Sequence, residues 1–101
     1  MSHELHPEAE AELANPALYY AREASKNIAL AFLAEFERVA ELVEANQQLG
    51  TKAKGGLRAD PFRRFPCSTV YRERGTGPYL YAVSHQRQEP GYWRDRVHPG
   101  V

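Results

Sequence analysis

Arginine alternates with aromatic and β-branched residues through residues 62–72, and histidine, arginine, tyrosine and tryptophan cluster again in residues 82–96. Guanidinium groups attract anions and cover aromatic rings, and tyrosine, tryptophan and arginine are enriched where proteins meet their partners. This composition therefore suits contact with an anionic or flat partner. The side chains that we expect to make this contact are Arg58, Arg63, Arg64, Phe65, Arg72, Arg87, Tyr92, Trp93 and Arg94.

The charge of the chain is divided between its two halves although the net charge is zero. Residues 1–49 contain three basic and nine acidic side chains, a balance of −6, whereas residues 50–101 contain ten basic and four acidic ones, a balance of +6. Such a division is typical of a half that meets a charged partner. The alternative is a pair of glutamate-rich helices that pack on a sheet whose arginines neutralise them. We favour the interpretation that the basic half of the chain meets a charged partner.

Length and composition indicate one globular domain. A chain of 101 residues has room for one core, and 43% hydrophobic with 26% charged residues is ordinary for a folded protein. No apolar run approaches the roughly 20 residues that span a bilayer, and the N-terminus lacks a signal-peptide pattern. The single Cys67 excludes an internal disulfide and fits a reducing compartment. We therefore expect a cytoplasmic protein with no membrane contact, no cofactor and no metal site.

The first half of the chain has the period of helices. Residues 3–6 could form a short edge strand before Pro7, which suits the first position of a helix. Pro16 predicts a kink or a break in this helix, because an internal proline removes a hydrogen bond and clashes one turn back. Ser25 is a plausible cap for a second helix that runs to about Asn46. The two helices predict an antiparallel hairpin.

A period of two residues replaces the helical pattern in the second half. We expect a linker over 50–56, strands over 57–65, 67–74 and 79–85, and one short helical turn over 92–97. Three neighbouring strands with short connections predict an antiparallel meander. The predicted fold is α+β, in the order β-α-α-β-β-β, with the helical hairpin packed on a small, twisted, mainly antiparallel sheet.

The element order and several motifs resemble the RelE/ParE superfamily, the toxins of bacterial type II toxin–antitoxin modules. The similarity rests on residues 6–13, on 64–66 followed by 70–72, and on 82–87 followed by 90–94. It covers nearly the whole chain and is nearest to the ParE-like, plasmid-stabilisation branch. Each motif is weak alone, but their order and spacing are typical of the family.

The resemblance implies one of two activities. One branch cuts messenger RNA in the ribosome, and the ParE-like branch poisons DNA gyrase by binding it. Cutting by attack of a 2′-hydroxyl needs a base, an acid and cations at the phosphate. The cutting branch places basic residues on its central strands, where this chain has Ala59, Pro61 and Ser68. This departure favours gyrase binding.

If the protein is nevertheless a nuclease, three residues are candidates for catalysis. Arg87 could clamp a phosphate, Tyr92 could donate a proton and His85 could exchange one near neutral pH. The structural alternative is that His85 ends a strand and bonds the backbone, while Tyr92 and Trp93 pin the tail onto the sheet. We favour these structural roles, so that an enzyme, if present, would be a metal-independent, ribosome-dependent messenger-RNA endonuclease.

The resemblance also implies a cognate antitoxin, expected to be a ParD-like ribbon-helix-helix protein whose disordered segment folds on the toxin. The +6 half would attract an acidic segment, and we expect residues 57–72 and 79–87 to carry much of that contact. The sequence therefore predicts a growth-inhibiting toxin that binds gyrase and is neutralised by an antitoxin. The alternatives are an endonuclease acting on the ribosome and its messenger RNA, and an inactive relic that binds only the antitoxin.

Overall fold

The structure of the protein is a computed structural model that describes residues 3–97. Its elements confirm the predicted α+β class, with a helical hairpin packed on a five-stranded sheet. They are β1 (Glu4–Leu5), α1 (Pro7–Glu23), α2 (Lys26–Ala45), β2 (Thr51–Ala53), β3 (Leu57–Pro61), β4 (Cys67–Arg72), β5 (Tyr79–His85) and the short α3 (Arg94–Val97).

Capping side chains determine where the two long helices begin. The Nδ1 atom of His6 accepts a hydrogen bond from the Glu8 amide at 3.1 Å and caps α1, and Pro7 is its first residue. As predicted, the Ser25 hydroxyl caps α2 by accepting from the Ile28 amide at 3.1 Å. Because these side chains satisfy amides that have no partner inside the helix, each helix begins at a defined residue.

The expected break at Pro16 is wrong, since α1 is assigned as one helix from Pro7 to Glu23. Proline removes one hydrogen bond from the helix, but Ala9 and Ala17 are buried on either side of it. The helix packs along both α2 and β5. Tertiary packing on both sides of Pro16 therefore outweighs the lost bond.

The sheet has the strand order β1-β5-β4-β3-β2. β1 lies parallel to β5, and the other neighbours are antiparallel, so the predicted meander of β3, β4 and β5 is confirmed. The expected linker over 50–56 is wrong in part, because its residues Thr51–Ala53 form β2 and pair with β3. A three-residue edge strand has too few positions to show an alternating pattern.

The predicted strand over 57–65 is too long and ends at Pro61. Proline cannot donate to a ladder, and the chain beyond it forms the loop 62–66, in which the Phe62 amide donates to the Cys67 carbonyl at 2.8 Å. Arg64 takes a left-handed conformation with φ of 70°. Arg63 and Arg64 therefore lie on a loop and not on opposite faces of a strand.

Alternation along the strands separates two apolar clusters. On one face, Tyr71 and Leu80 pack against Phe32 and Phe36 of α2. On the other, which we call the outer face, Leu57, Val70, Ala82 and Trp93 form a second cluster. A register shift opposite Val70 and Tyr71 makes Tyr81 an extra residue of β5. Tyr81 and Ala82 consequently both contact the outer cluster.

Candidate functional site

Ala59, Pro61 and Ser68, the three positions at which the RNA-cutting branch has basic residues, lie together on the outer face. Ser68 pairs with Pro61 on one side and with Ser84 on the other, and Val70 pairs with Ala59. Since Ser68 and Val70 are two residues apart, they share a face of the sheet. The register thus places Ala59, Pro61 and Ser68 in one uncharged patch in the middle of the sheet.

The C-terminal segment covers the same face. Trp93 is only 7% exposed and packs on Leu57, Val70 and Ala82. Tyr92 lies at the border of this cluster, with its ring centroid 5.3 Å from that of Trp93. Burial of an indole on three strands is the anchoring role that the sequence favoured for this residue. Trp93 is therefore covered by the protein itself and offers no stacking surface.

Glu12 of α1 bonds the C-terminal segment to the first helix and to β5. One carboxylate oxygen, Oε1, accepts from the Val83 amide at 3.0 Å and from Arg96 at 2.7 Å. The other, Oε2, accepts from the Tyr92 hydroxyl at 2.5 Å and again from Arg96 at 3.0 Å. β1 ends at Leu5, so the Val83 amide of β5 has no strand partner on that side and Glu12 satisfies it.

This arrangement determines the state of the Tyr92 hydroxyl. Burial, and then the hydrogen bond to the Glu12 carboxylate, raise the pKa of Tyr92 well above its usual value. The Arg96 guanidinium lies 5.1 Å from the centre of the Tyr92 ring and lowers that pKa by a smaller amount. The phenol is neutral, and its proton is directed at Glu12. In this arrangement the hydroxyl links two parts of the protein and does not point at a substrate.

His85 also has bonds within the chain. It lies opposite Cys67 at the end of β5, and its Nδ1 atom accepts from the Arg87 amide at 3.0 Å. The His85 amide donates to the side chain of Gln88 at 2.7 Å. These contacts stabilise the turn that follows β5, as expected for a histidine at the end of a strand. Of the three nuclease candidates, only Arg87 keeps its side chain exposed.

The arginines divide into paired and unpaired sets. Arg58 bonds Glu73 at 2.5 Å and the Gly50 carbonyl at 2.8 Å, and Arg74 bonds Glu4 at 2.9 Å. Within residues 3–97, no carboxylate forms a salt bridge within 4.0 Å with the guanidinium groups of the other predicted contact arginines, although the backbone amide of Arg63 donates to the Glu35 carboxylate at 2.5 Å. Arg94 donates only to the Gly91 carbonyl, at 3.2 Å. The unpaired set is Arg63, Arg64, Arg72, Arg87 and Arg94.

Three of the unpaired arginines lie at one end of the sheet. The Gln86 amide donates to the Pro66 carbonyl at 2.9 Å, which joins the turn after β5 to the loop 62–66. Phe65 secures this loop with its ring 5.3 Å from Phe32 and 5.7 Å from Tyr20. Phe65 therefore supports the loop and is only partly exposed. We call this surface the basic end and define it by Arg63, Arg64 and Arg87.

Comparison with solved structures identifies the architecture. A chain of a structure described as the chromosomal ParDE toxin–antitoxin system from P. aeruginosa superposes with a TM-score of 0.72, over 84% of this chain and 95% of that one. The sequences are 22% identical. This chain has that ParDE fold. No protein-family model matches the sequence, and no curated protein matches it either.

The ParDE fold agrees with the resemblance that the motifs indicated, including the order of the strands and helices. Within residues 3–97, none of the helices has the length and the apolar composition that crossing a bilayer requires. In the same residues, no three or more His, Cys, Asp and Glu side chains are grouped so that they could hold a metal ion.

The sequence missed the two residues that organise the C-terminal segment, Glu12 and Arg96. In the sequence, Glu12 is one of several acidic residues near the start of the first helix, and Arg96 is one of several cations near the C-terminus. Eighty-four positions separate them. No local pattern signals a pair so distant in sequence, because only the folding of α1 along β5 brings them together.

Proposed function

We propose that this protein is the ParE-like toxin of a type II toxin–antitoxin module. In this proposal it inhibits growth by binding DNA gyrase, and a cognate antitoxin neutralises it. The ParDE fold supports the toxin assignment. The gyrase target follows from the resemblance of the motifs to the ParE-like branch.

The observation that carries the choice of binding over cutting is the uncharged patch of Ala59, Pro61 and Ser68. A nuclease must use preorganised cations to stabilise the crowded, negatively charged phosphate as the 2′-oxygen attacks and the leaving oxygen departs. Here the centre of the sheet offers none at these positions, and Trp93 covers the neighbouring surface. The Tyr92 hydroxyl, the candidate acid, is bonded to Glu12. These features favour a protein that acts by contact.

The antitoxin, proposed to be ParD-like with a ribbon-helix-helix domain, would meet the unpaired cations. The basic end presents three exposed guanidinium groups that form no salt bridge in residues 3–97, since Glu35 accepts from the backbone amide of Arg63 and pairs with the side chain of Arg38. An acidic segment that folds onto this surface would supply the missing carboxylates and be steered to it by charge. The cytoplasm, where both gyrase and such an antitoxin are found, is the proposed location.

The decisive experiment compares two targets with the same purified chain. We expect inhibition of gyrase supercoiling, or accumulation of cleaved DNA complexes, and no effect on a cell-free translation reaction. Tyr92→Phe and Arg87→Ala serve as the variants that discriminate. Codon-linked cuts in translated messages, lost in both variants, would establish the endonuclease instead. Induction without antitoxin that leaves growth unchanged would indicate the inactive, antitoxin-binding relic.

A further inference from the structure

A cluster of rings and guanidinium groups lies at the junction of β1 and β5, where β4 ends and β5 begins, at the opposite end of these two strands from the basic end. The centroids of the Tyr79 and Tyr81 rings lie 4.5 Å apart, and the His6 ring lies 6.4 and 6.2 Å from them. The guanidinium of Arg72 lies 5.9 Å from the centre of Tyr81, and that of Arg74 lies 5.2 Å from the centre of Tyr79. All five side chains are partly exposed.

The fold explains why these side chains meet. Arg72 pairs directly with Tyr79 across β4 and β5, so their side chains leave the sheet side by side. The extra residue of β5 adds Tyr81 on the outer face next to them. His6 follows β1, and its amide bonds the Leu80 carbonyl at 2.9 Å, which holds its ring beside both tyrosines.

Arg72 differs from the other arginines around it. Arg58, Arg74 and Arg96 each bond a carboxylate, at 2.5, 2.9 and 2.7 Å. Within the described part of the chain, Arg72 has no carboxylate partner and no acceptor for its side-chain donors, although it is partly buried against Tyr81. A guanidinium held in place over a ring, with its donors free, is prepared for an anion from outside.

We propose that Arg72, Tyr79, Tyr81 and His6 form a binding site for a short stretch of single-stranded nucleic acid. A phosphate bonds Arg72, and a neighbouring base stacks on the ring and guanidinium planes beside it. Paired aromatic surfaces with adjacent cations are how proteins hold unpaired bases without reading their sequence. The proposal assigns binding to this site and no cutting of the strand.

The aromatic rings of Tyr79 and Tyr81 favour nucleic acid over an acidic peptide as the ligand of this site. The faces of aromatic rings carry negative charge density, so carboxylates gain nothing by approaching them. Nucleobases, by contrast, stack on such faces and bring a phosphate with each nucleotide. Arg72 alone would suit either partner, whereas Arg72 beside the two adjacent tyrosine rings, Tyr79 and Tyr81, suits the nucleic acid.

The test is fluorescence anisotropy of a labelled eight-nucleotide single strand, as DNA and as RNA, titrated with the full chain at low salt. We expect Arg72→Gln to weaken binding about tenfold and to reduce the slope of log K against log salt by about 0.7, the value for one phosphate contact. Tyr79→Leu should weaken binding about tenfold through lost stacking. Tyr79→Phe, which keeps the ring, should bind as the unaltered chain does.

Arg22→Gln is the matched control, because it removes the same charge from an exposed position on α1. Thermal melting of each variant verifies that it folds, and Arg72→Gln keeps most of the side-chain stem for this reason. Absence of binding by the unaltered chain, or an equal loss in Arg22→Gln, overturns the proposal. So does displacement of the strand by a glutamate-rich peptide at lower concentration than by unlabelled strand. None of these results bears on gyrase inhibition, which is measured on a different partner.

Discussion

The Tyr92 hydroxyl donates a hydrogen bond to Glu12, a residue 80 positions earlier in the chain. The same carboxylate accepts from Arg96 through both oxygens and from the Val83 amide. One side chain of α1 therefore connects the first helix, the edge of β5 and the C-terminal segment. The Tyr92 hydroxyl, which the sequence offered as a candidate proton donor only under the nuclease alternative, donates its proton to Glu12 in the structure.

Replacing Glu12 should therefore loosen the C-terminal segment. We expect Glu12→Gln to lower the free energy of unfolding by about 2–3 kcal/mol, because it leaves the largely buried Arg96 without its main partner. Urea unfolding followed by the fluorescence of the single tryptophan, Trp93, measures this. Glu10→Gln, an exposed neighbour on α1, is the control. An equal effect of the two changes would contradict the role of Glu12.

Trp93 contributes through its packing and not through its N–H group. Its Nε1 atom is buried without a hydrogen-bond partner among the described residues. We expect Trp93→Ala to destabilise the protein by about 3–4 kcal/mol, whereas Trp93→Phe should cost clearly less because it retains an aromatic ring. Differential scanning calorimetry gives both values. Tyr19→Ala, at a position 61% exposed, should change stability little. If Trp93→Phe were as damaging as Trp93→Ala, the ring would not be the stabilising part.

Stability should fall in alkaline solution partly through Tyr92. Its pKa is raised in the folded protein above the ordinary value of 10.0, so the neutral phenol is favoured by folding. This contribution is complete below the unfolded pKa and is lost as pH rises above about 10. Urea midpoints at increasing pH should therefore decline less steeply in Tyr92→Phe. Tyr20, Tyr71, Tyr79 and the buried Cys67 also have raised pKa values and contribute to the remaining slope.

Charge at the basic end should control the rate of antitoxin association. We expect the triple change of Arg63, Arg64 and Arg87 to glutamine to slow association with the cognate antitoxin at least about tenfold at low salt, with a smaller effect at high salt. Stopped-flow fluorescence measures the rate. The matched control removes charge at Arg22, Lys26 and Lys52, which are exposed and belong neither to the basic end nor to the predicted contact residues. Unchanged affinity and salt dependence in the first variant would move the antitoxin contact elsewhere.

Much of the fold was predictable because its signals are local. Apolar residues at helical spacing and the cap at Ser25 defined α2, and alternation defined β4 and β5. β2 was not predictable, since three residues at an edge carry no pattern of their own. The end of β3 at Pro61 was also missed. The aromatic and basic residues of the following loop resembled a continued strand.

The sequence by itself determined the α+β class, the order of the main elements, the resemblance to the RelE/ParE toxins and the uncharged residues at Ala59, Pro61 and Ser68. Only the tertiary structure determined which arginines form salt bridges with carboxylates and which do not. Arg58, Arg74 and Arg96 are bonded to carboxylates, whereas Arg72 lies over Tyr81 with no carboxylate partner among residues 3–97. The physical reason is that hydrogen bonds and ion pairs depend on distances of about 3 Å, and most of these partners are far apart in the chain.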